Sequence, residues 1–163
     1  MKALRVQPLT AAAMAPFGSV IDVAPGGAAV NGGSSRRHEA VPALDLQRAG
    51  GRAVLAVYEA QARRFPFEAR VLERHRLSDQ VFLPLGGARR CVLLLAPAHL
   101  AAPGADDCVA LLSNGQQGMR IAAGTWHHGL LSLDDGPWAV LERRGETVDC
   151  DELSLEQAVC LTL

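Results

Sequence analysis

The sequence has no excess of charge of either sign and no long hydrophobic run. Lysine and arginine together number 16 and aspartate and glutamate 17, which gives a formal net charge of −1 in 163 residues. So small a net charge gives no reason to expect nucleic acid or an anionic membrane as a partner. No apolar stretch approaches the length of a membrane span, and the first residues lack the pattern of a signal peptide.

The cysteines also lack a pattern. Four are present, at positions 91, 108, 150 and 160, and none are in CxxC spacing. Cys91 begins the apolar run 91–95, where we expect it to be a small buried hydrophobic residue. Reduced thiols and a cytoplasmic location are therefore expected. No internal repeat or linker interrupts the chain, so residues 1–163 are predicted to form a single domain.

What the sequence does contain is a series of short β-type runs separated by clusters of Gly, Pro, Asn or Asp. The candidate strands are 53–58, 67–75, 81–85, 91–96, 109–112, 119–122, 127–133 and 138–143. Many short strands with such punctuation predict a sandwich or a barrel.

Helices are predicted only near the two ends of the chain. Thr10 is a suitable N-cap for a short helix over residues 11–14. Ser154 and Gln157 have the spacing of a capping box, which predicts a short C-terminal helix. The Gly- and Ala-rich segment 24–35 is predicted to be turn or loop.

Alternation along residues 67–77 bears on the position of two polar side chains. Phe67, Ala69 and Val71 share one strand phase with Glu73, His75 and Leu77. The opposite phase holds Glu68, Arg70, Leu72, Arg74 and Arg76 and is expected to face water. Glu73 and His75 are therefore predicted to point inward, toward the mouth of the barrel or a cavity. A one-residue bulge near Leu72 would reverse the two faces.

Two segments of the sequence match the spacing of the cupin metal motifs. Glu73-x-His75-x4-Gln80 has the spacing of the first motif, and Gly124-Thr125-Trp126-His127 fits the second, Gly-x-x-His. In a cupin these four ligand positions would be Glu73, His75, Gln80 and His127. The two imidazoles and one carboxylate could hold a divalent ion, whereas the amide of Gln80 is a weak ligand.

Each of these features also has a purely structural interpretation. Glu73 and His75 could form a simple hydrogen-bonded pair. His127 and His128 could be one buried and one exposed imidazole on opposite faces of a strand, and Trp126 could be a packing residue. The two polar clusters taken together, at cupin spacing, favour a site.

Longer stretches of the sequence resemble the ureidoglycolate lyase family. Residues 73–84 resemble its ERHPL…QAFIP stretch, and residues 113–118 followed by Trp126-His127-His128 are similar to its NGxQG…WHH signature. Arg144 followed by Asp149-Cys150-Asp151 is similar to its DR…NCD tail. The segments 9–21 and 31–38 also fit, so the resemblance covers about residues 4–160. Arg76 and Gly129 stand where the family usually has proline.

The resemblance implies a mainly β fold, a cupin-like β-barrel or jelly roll, and a homodimer. It implies cleavage of (S)-ureidoglycolate to glyoxylate and urea, a late step in allantoin and purine breakdown. Some members of the family are stimulated by divalent cations, including nickel, so the resemblance allows a divalent metal held by Glu73, His75 and His127 without requiring one.

The residue types present suit this chemistry. A base must take the hydroxyl proton of the substrate and an acid must protonate the leaving nitrogen, tasks that suit a histidine. We assign Glu73, His75 and His127 to catalysis, without deciding which histidine is base and which is ligand.

The remaining candidates are substrate-binding residues. Arg36 and Arg144 are assigned to the substrate carboxylate, and Gln80 and Gln116 to its urea end. Trp126 and His128 are assigned to the pocket.

Other functions remain open at this point. A metal-dependent cupin that acts on another small polar carboxylic acid would carry the same motifs, and so would a cupin that binds such a metabolite without turnover. A hydrolase would release ammonia instead of urea.

Overall fold

The structure, a computed structural model, describes residues 1–41 and 43–163, which form fifteen strands and one short α-helix. The strands are β1 (Lys2–Arg5), β2 (Gln7–Pro8), β3 (Gly18–Ile21), β4 (Ala28–Val30), β5 (Ser35–Arg37), β6 (Arg52–Ala60), β7 (Phe67–Arg74), β8 (Gln80–Pro84), β9 (Cys91–Ala96), β10 (Val109–Leu112), β11 (Gly118–Ile121), β12 (Trp126–His127), β13 (Leu131–Ser132), β14 (Gly136–Arg144) and β15 (Asp151–Thr162). Helix α1 spans Ala11–Met14, and short 3-10 turns lie at Asn31–Gly33, Arg48–Gly50 and Ala105–Asp107.

Two large sheets organise the molecule. The eight-stranded sheet has the order β1-β15-β7-β12-β9-β10-β2, with β13 also paired to β9, and the five-stranded sheet has the order β3-β11-β8-β14-β6. The N-terminal segment joins both edges of the larger sheet, because β1 pairs with β15 and β2 pairs with β10. The larger sheet is therefore nearly closed, and the prediction of a mainly β, cupin-like barrel is confirmed.

Alternating residues of β9 supply two separate hydrophobic clusters. Val92, Leu94 and Ala96 belong to the barrel cluster, inside the curled eight-stranded sheet, together with residues such as Leu72 and Trp126. Cys91, Leu93 and Leu95 belong to the intersheet cluster, with Phe82, Met119, Ile121, Trp138 and Val140 of the five-stranded sheet. Strand β9 thus separates two cores, and a residue's phase decides which core it faces. Cys91 is fully buried, as predicted.

The N-terminal helix is as predicted. The Thr10 side chain accepts a hydrogen bond from the Ala13 amide, and Met14 is buried. The segment predicted to be loop is partly a hairpin, since β4 and β5 pair with each other around a turn. Asn31, Gly32 and Gly33 all have positive φ in this turn, which explains the glycines that suggested a loop.

The predicted C-terminal helix is wrong. Residues 151–162 form β15, and its pairing with β7 jumps from Ser154↔Val71 to Val159↔Ala69. Residues 155–158 therefore form a wide bulge opposite a single residue of β7. Leu155, Ala158 and Val159 are buried in this segment, so packing against the barrel overrides the local capping-box signal.

The predicted alternation along β7 is wrong at its midpoint. Ala69 and Leu72 are both fully buried in the barrel cluster, while Val71 is exposed, so the phase changes between Ala69 and Leu72. The face expected to lie in water contains Leu72 and the buried Arg74. Arg74 is held there by Asp151 (2.9 Å) and by the ring of Trp126, 4.2 Å from its guanidinium carbon.

The predicted strand 127–133 is divided into β12 and β13, both of which pair with β9.

Across residues 1–41 and 43–163, no helix has the length and apolar character needed to cross a membrane.

Candidate active site

Glu73 and His127 are direct neighbours on adjacent strands. His127 of β12 lies opposite Glu73 of β7 on one side and opposite Leu95 of β9 on the other. Because Leu95 belongs to the intersheet cluster, all three side chains face the space between the two sheets. The Nε2 atom of His127 lies 3.6 Å from Oε1 of Glu73.

His75 joins this pair from the end of β7. Its ring centroid lies 5.3 Å from that of His127. Glu73, His75 and His127 each offer a ligand atom, and these atoms lie within 4.8 Å of one another. The structure therefore brings together the three residues that the sequence assigned to catalysis and metal binding.

Both histidines are oriented by backbone carbonyls. Nδ1 of His127 lies 2.9 Å from the Thr125 carbonyl, and Nδ1 of His75 lies 2.5 Å from the Asp149 carbonyl. A carbonyl can only accept, so Nδ1 carries a proton in both rings. Both Nε2 atoms are buried and without a hydrogen-bond partner among the described residues.

Burial keeps His127 neutral. Desolvation lowers the pKa of His127 to about 4, the nearby His75 and His128 also lower it, and the hydrogen bond to Thr125 opposes the shift. At neutral pH the imidazole is therefore uncharged, as a base or a metal ligand requires.

A cavity of about 260 Å³ has His75 of this cluster in its lining. The lining also includes Ser78, the loop residues 145–150, and Tyr58, Gln80, Glu142 and Arg144 of the five-stranded sheet. The Oε1 atom of Gln80 is buried and has no hydrogen-bond partner in the described parts of the chain, so Gln80 keeps an acceptor that no described protein group uses.

Asp149 holds the cavity loop against the end of β7. Its carboxylate accepts hydrogen bonds from the backbone N–H groups of Arg76 and Leu77, both at 2.9 Å. Its carbonyl is the acceptor that orients His75. A single residue of the loop therefore fixes both the turn after β7 and the ring of His75.

Cys150 lies beside the cluster as a neutral thiol. Its Sγ is 3.9 Å from Oε2 of Glu73, and Glu73, Cys150 and Glu152 form a second group of potential ligands. Partial burial raises the pKa of Cys150, and the surrounding carboxylates, Glu73 first among them, raise it further. A thiol in this state is a poor nucleophile.

Arg144 is in the cavity lining. Trp138 and Val140 are fully buried on the inner face of β14, and Glu142 and Arg144 continue that phase to the cavity rim. Nε of Arg144 lies 3.8 Å from Oε1 of Glu142, an ion pair too long for a hydrogen bond, and the Arg144 side chain is 68% exposed, so its guanidinium can also bind an anion.

Four other sequence candidates are placed elsewhere. Trp126 and His128 flank His127 and so point to the opposite face of the sheet, where Trp126 donates to the Leu100 carbonyl and His128 packs edge-on against Phe67. Gln116 lies in the exposed turn before β11, whereas Gln80 pairs with the far end of that strand. Arg36 lies in the exposed β4–β5 hairpin and donates to the Gly27 carbonyl. The structure does not bring these residues to the cavity.

Sequence reasoning missed Tyr58, Ser78 and Asp149 as cavity residues. Glu142 could have been found, since it shares the phase of Trp138, Val140 and Arg144. Tyr58, the chain's one tyrosine, reaches the cavity only through the pairing of β6 with β14, which no local pattern reveals.

Comparison with known proteins is consistent with this arrangement. The family model described as ureidoglycolate lyase matches residues 1–162. The chain belongs to the ureidoglycolate lyase family. A relative from Burkholderia cepacia, named ureidoglycolate lyase, is 40% identical over 97% of this chain and 89% of its own length. Relatives with the same name from Azotobacter vinelandii (37% identical, covering 93% of this chain and 92% of the relative) and Pseudomonas aeruginosa (34%, covering 93% and 90%) are similar over nearly their whole length.

Proposed function

We propose that the protein is a ureidoglycolate lyase, which cleaves (S)-ureidoglycolate to glyoxylate and urea in allantoin and purine breakdown. The observation that carries the proposal is the pair of imidazoles whose buried Nε2 atoms have no partner in the described residues, with His75 lining a cavity of small-molecule size. Family membership supplies the substrate. The cavity supplies groups of the right chemistry to act on it.

The reaction moves one proton and breaks one bond. The hydroxyl on the central carbon loses its proton, and the oxygen electron pair forms the carbonyl of glyoxylate. The carbon–nitrogen bond then breaks, its electrons remain on the ureido nitrogen, and that nitrogen takes up a proton to become urea. A single group able to accept a proton and return it satisfies this balance.

His75 is the better placed of the two histidines for proton transfer. It lines the cavity, while His127 is almost fully buried behind it. The Asp149 carbonyl engages Nδ1, so Nε2 is the ring nitrogen of His75 left for the substrate hydroxyl. Glu73, close to both rings, stabilises positive charge that develops when His75 takes up the proton.

Glu73, His75 and His127 also fit a divalent cation. Two neutral imidazole nitrogens and a carboxylate are a donor set that nickel, manganese and zinc accept, and the two Nε2 atoms lack other partners in the ranges 1–41 and 43–163. When bound, such a cation would supply Lewis-acid stabilisation of the developing oxyanion. The His75 lone pair serves one task at a time, so the metal dependence of turnover decides whether His75 is base or ligand.

Metal binding can be measured directly. Titration of chelator-treated protein with Ni²⁺ in a calorimeter is expected to show binding by the wild type and a large loss of affinity in His127→Ala. His128→Ala, which alters the neighbouring histidine on the other face, is the matched control and is expected to bind like the wild type. Equal Ni²⁺ affinity in His127→Ala and the wild type would remove the metal proposal.

Arg144 is proposed to bind the substrate carboxylate. Arg144→Ala is expected to raise KM for ureidoglycolate by about tenfold or more with a smaller change in kcat, because a charge-assisted hydrogen bond is worth about 1.5–3 kcal/mol. The measurement compares inhibition by a carboxylate analogue with inhibition by a neutral amide analogue. Equal losses for the two analogues would contradict this role.

The nitrogen product tests the reaction class. Incubation with ureidoglycolate is expected to yield urea and glyoxylate in equal amounts. Ammonia in place of urea would identify a hydrolase. No product above the spontaneous rate, with ureidoglycolate still bound, would favour a metabolite-binding protein.

We also propose that the protein forms a homodimer through the outer face of the five-stranded sheet. Leu55 is 70% exposed and Val57 is 61% exposed on β6, and Leu83 on β8 is on the same outer face. Strand β6 is nine residues long and ends its sheet, and no strand of the described chain pairs with its outer edge. A long apolar edge strand of this kind tends to pair with another chain.

The dimer interface can be tested with charged substitutions. Val57→Lys is expected to convert the dimer to a monomer in sedimentation experiments, because it would bury an unpaired charge. Val23→Lys places the same charge at another exposed valine, 81% exposed, and is expected to leave the dimer intact. A wild-type protein that is monomeric at micromolar concentration would contradict the proposal.

The cysteines support a reducing compartment, and we propose the cytoplasm. All four are free. Burial raises the pKa of Cys91 to about 12 and that of Cys108 to about 11, so both remain unreactive thiols. Free thiols in this number are typical of proteins that fold where disulfides are rare.

A further inference from the structure

We propose that Tyr58 and Glu142 form, with Gln80, the subsite that holds the ureido end of the substrate. This inference rests on the proposed lyase function and adds two residues to it. Both come from the five-stranded sheet and line the cavity together with His75. Together they would determine that the substrate must carry N–H donors.

Tyr58 and Glu142 form a fixed pair at the cavity wall. The Tyr58 hydroxyl donates a hydrogen bond of 2.9 Å to Oε2 of Glu142. The tyrosine ring packs edge-on against Phe82, with ring centroids 6.3 Å apart, and the Glu142 side chain is only 16% exposed. The two groups are therefore held in place before a ligand arrives.

Burial keeps Tyr58 in its protonated form. Burial raises the pKa of Tyr58 to about 12, and the hydrogen bond to Glu142 acts in the same direction. Tyr58 therefore stays protonated and occupies one oxygen of Glu142. The other oxygen, Oε1, is 3.8 Å from Arg144 and keeps its capacity to accept.

The acceptor oxygens of Glu142, Gln80 and Tyr58 match the donors of a ureido group. That group presents an internal N–H and a terminal NH₂, which need oxygen acceptors. Oε1 of Glu142, the buried Oε1 of Gln80 and the Tyr58 oxygen supply them. A carboxylate would be repelled by Glu142, so the substrate carboxylate is directed to Arg144 and the ureido end to Glu142.

A structural role is the competing explanation for the pair. The hydrogen bond joins β6 to β14, which are already paired along nine residues of each strand. A bond that served only to join these strands would affect stability, and it would affect the binding of all ligands equally. A recognition role affects only ligands that carry the N–H donors.

The test compares two ligands that differ in the ureido end. Oxalurate carries both a carboxylate and a ureido group, whereas glyoxylate carries a carboxylate and an aldehyde but no ureido group. Glu142→Gln replaces an acceptor oxygen with an NH₂ donor and is expected to weaken oxalurate binding by about tenfold or more. Tyr58→Phe is expected to act in the same direction and more weakly. Glyoxylate binding should change by less than about twofold in either variant.

Glu59→Gln is the matched control. Glu59 follows Tyr58 on β6 and lies outside the cavity that contains His75, so this variant is expected to bind oxalurate like the wild type. Equal losses of oxalurate and glyoxylate binding in Glu142→Gln, or no loss of either, would overturn the inference.

The two proposals fail in different ways. Wild-type protein that binds oxalurate through Glu142 but does not cleave ureidoglycolate would remove the lyase function and leave the subsite. If the wild type cleaves ureidoglycolate and Glu142→Gln has the same KM and the same oxalurate affinity as the wild type, the subsite proposal is removed and the lyase proposal stays.

Discussion

Replacing either His75 or His127 is expected to abolish most of the activity without unfolding the protein. His75→Ala and His127→Ala should each lower kcat by about 100-fold or more, which is the usual contribution of a positioned acid–base group. His75 belongs to the cavity lining, and His127 completes the cluster with it. The measurement is steady-state turnover of ureidoglycolate, with circular dichroism to confirm the fold.

His128 provides an internal control for this prediction. It is adjacent to His127 but lies on the opposite face of the sheet, where its ring packs against Phe67. His128→Ala should therefore keep kcat within about threefold of the wild type, although it loses packing area. A loss in His128→Ala as large as that in His127→Ala would show that the effect is structural. Full activity in both His75→Ala and His127→Ala would remove the site.

Removing the Asp149 side chain is expected to have the second largest effect. Asp149→Ala leaves the amides of Arg76 and Leu77 without their carboxylate acceptor. Hydrogen bonds to a charged group are worth about 1.5–3 kcal/mol, so the free energy of unfolding should fall by about 2 kcal/mol. The loop should also release the His75 ring, and kcat should fall by about 10–100-fold.

The loss of activity must be separated from the loss of stability. Asp135→Ala removes another carboxylate that accepts from a backbone amide, that of Ala62 at 2.7 Å, and Asp135 is not among the residues lining the His75 cavity. It should lower stability and leave kcat nearly unchanged. Asp149→Asn keeps one acceptor oxygen and should fall between the wild type and Asp149→Ala. Unchanged kcat in Asp149→Ala would show that the loop does not position His75.

The sequence predicts the catalytic cluster because that part of the site is local. Glu73 and His75 are two residues apart, and His127 follows a glycine at a spacing that recurs in cupins. Strand alternation alone also separates His127 from Trp126 and His128, since neighbours on a strand face opposite ways. Assigning all three to one pocket disregarded that rule.

The cavity residues Tyr58 and Glu142 could not be predicted in the same way. Tyr58 and Glu142 are 84 residues apart in sequence and meet only because β6 pairs with β14. The predicted C-terminal helix failed for a related reason. Its capping-box signal is worth about 1 kcal/mol, whereas burial of Leu155, Ala158 and Val159 against the barrel contributes more.

The most direct test of this account is the rate of urea release from ureidoglycolate by wild-type protein and His75→Ala, measured in parallel above the spontaneous rate. The account predicts rapid release of urea with matching glyoxylate by the wild type, and a rate near background for His75→Ala. Wild-type urea release no faster than the spontaneous reaction, with and without added nickel or manganese, would contradict it.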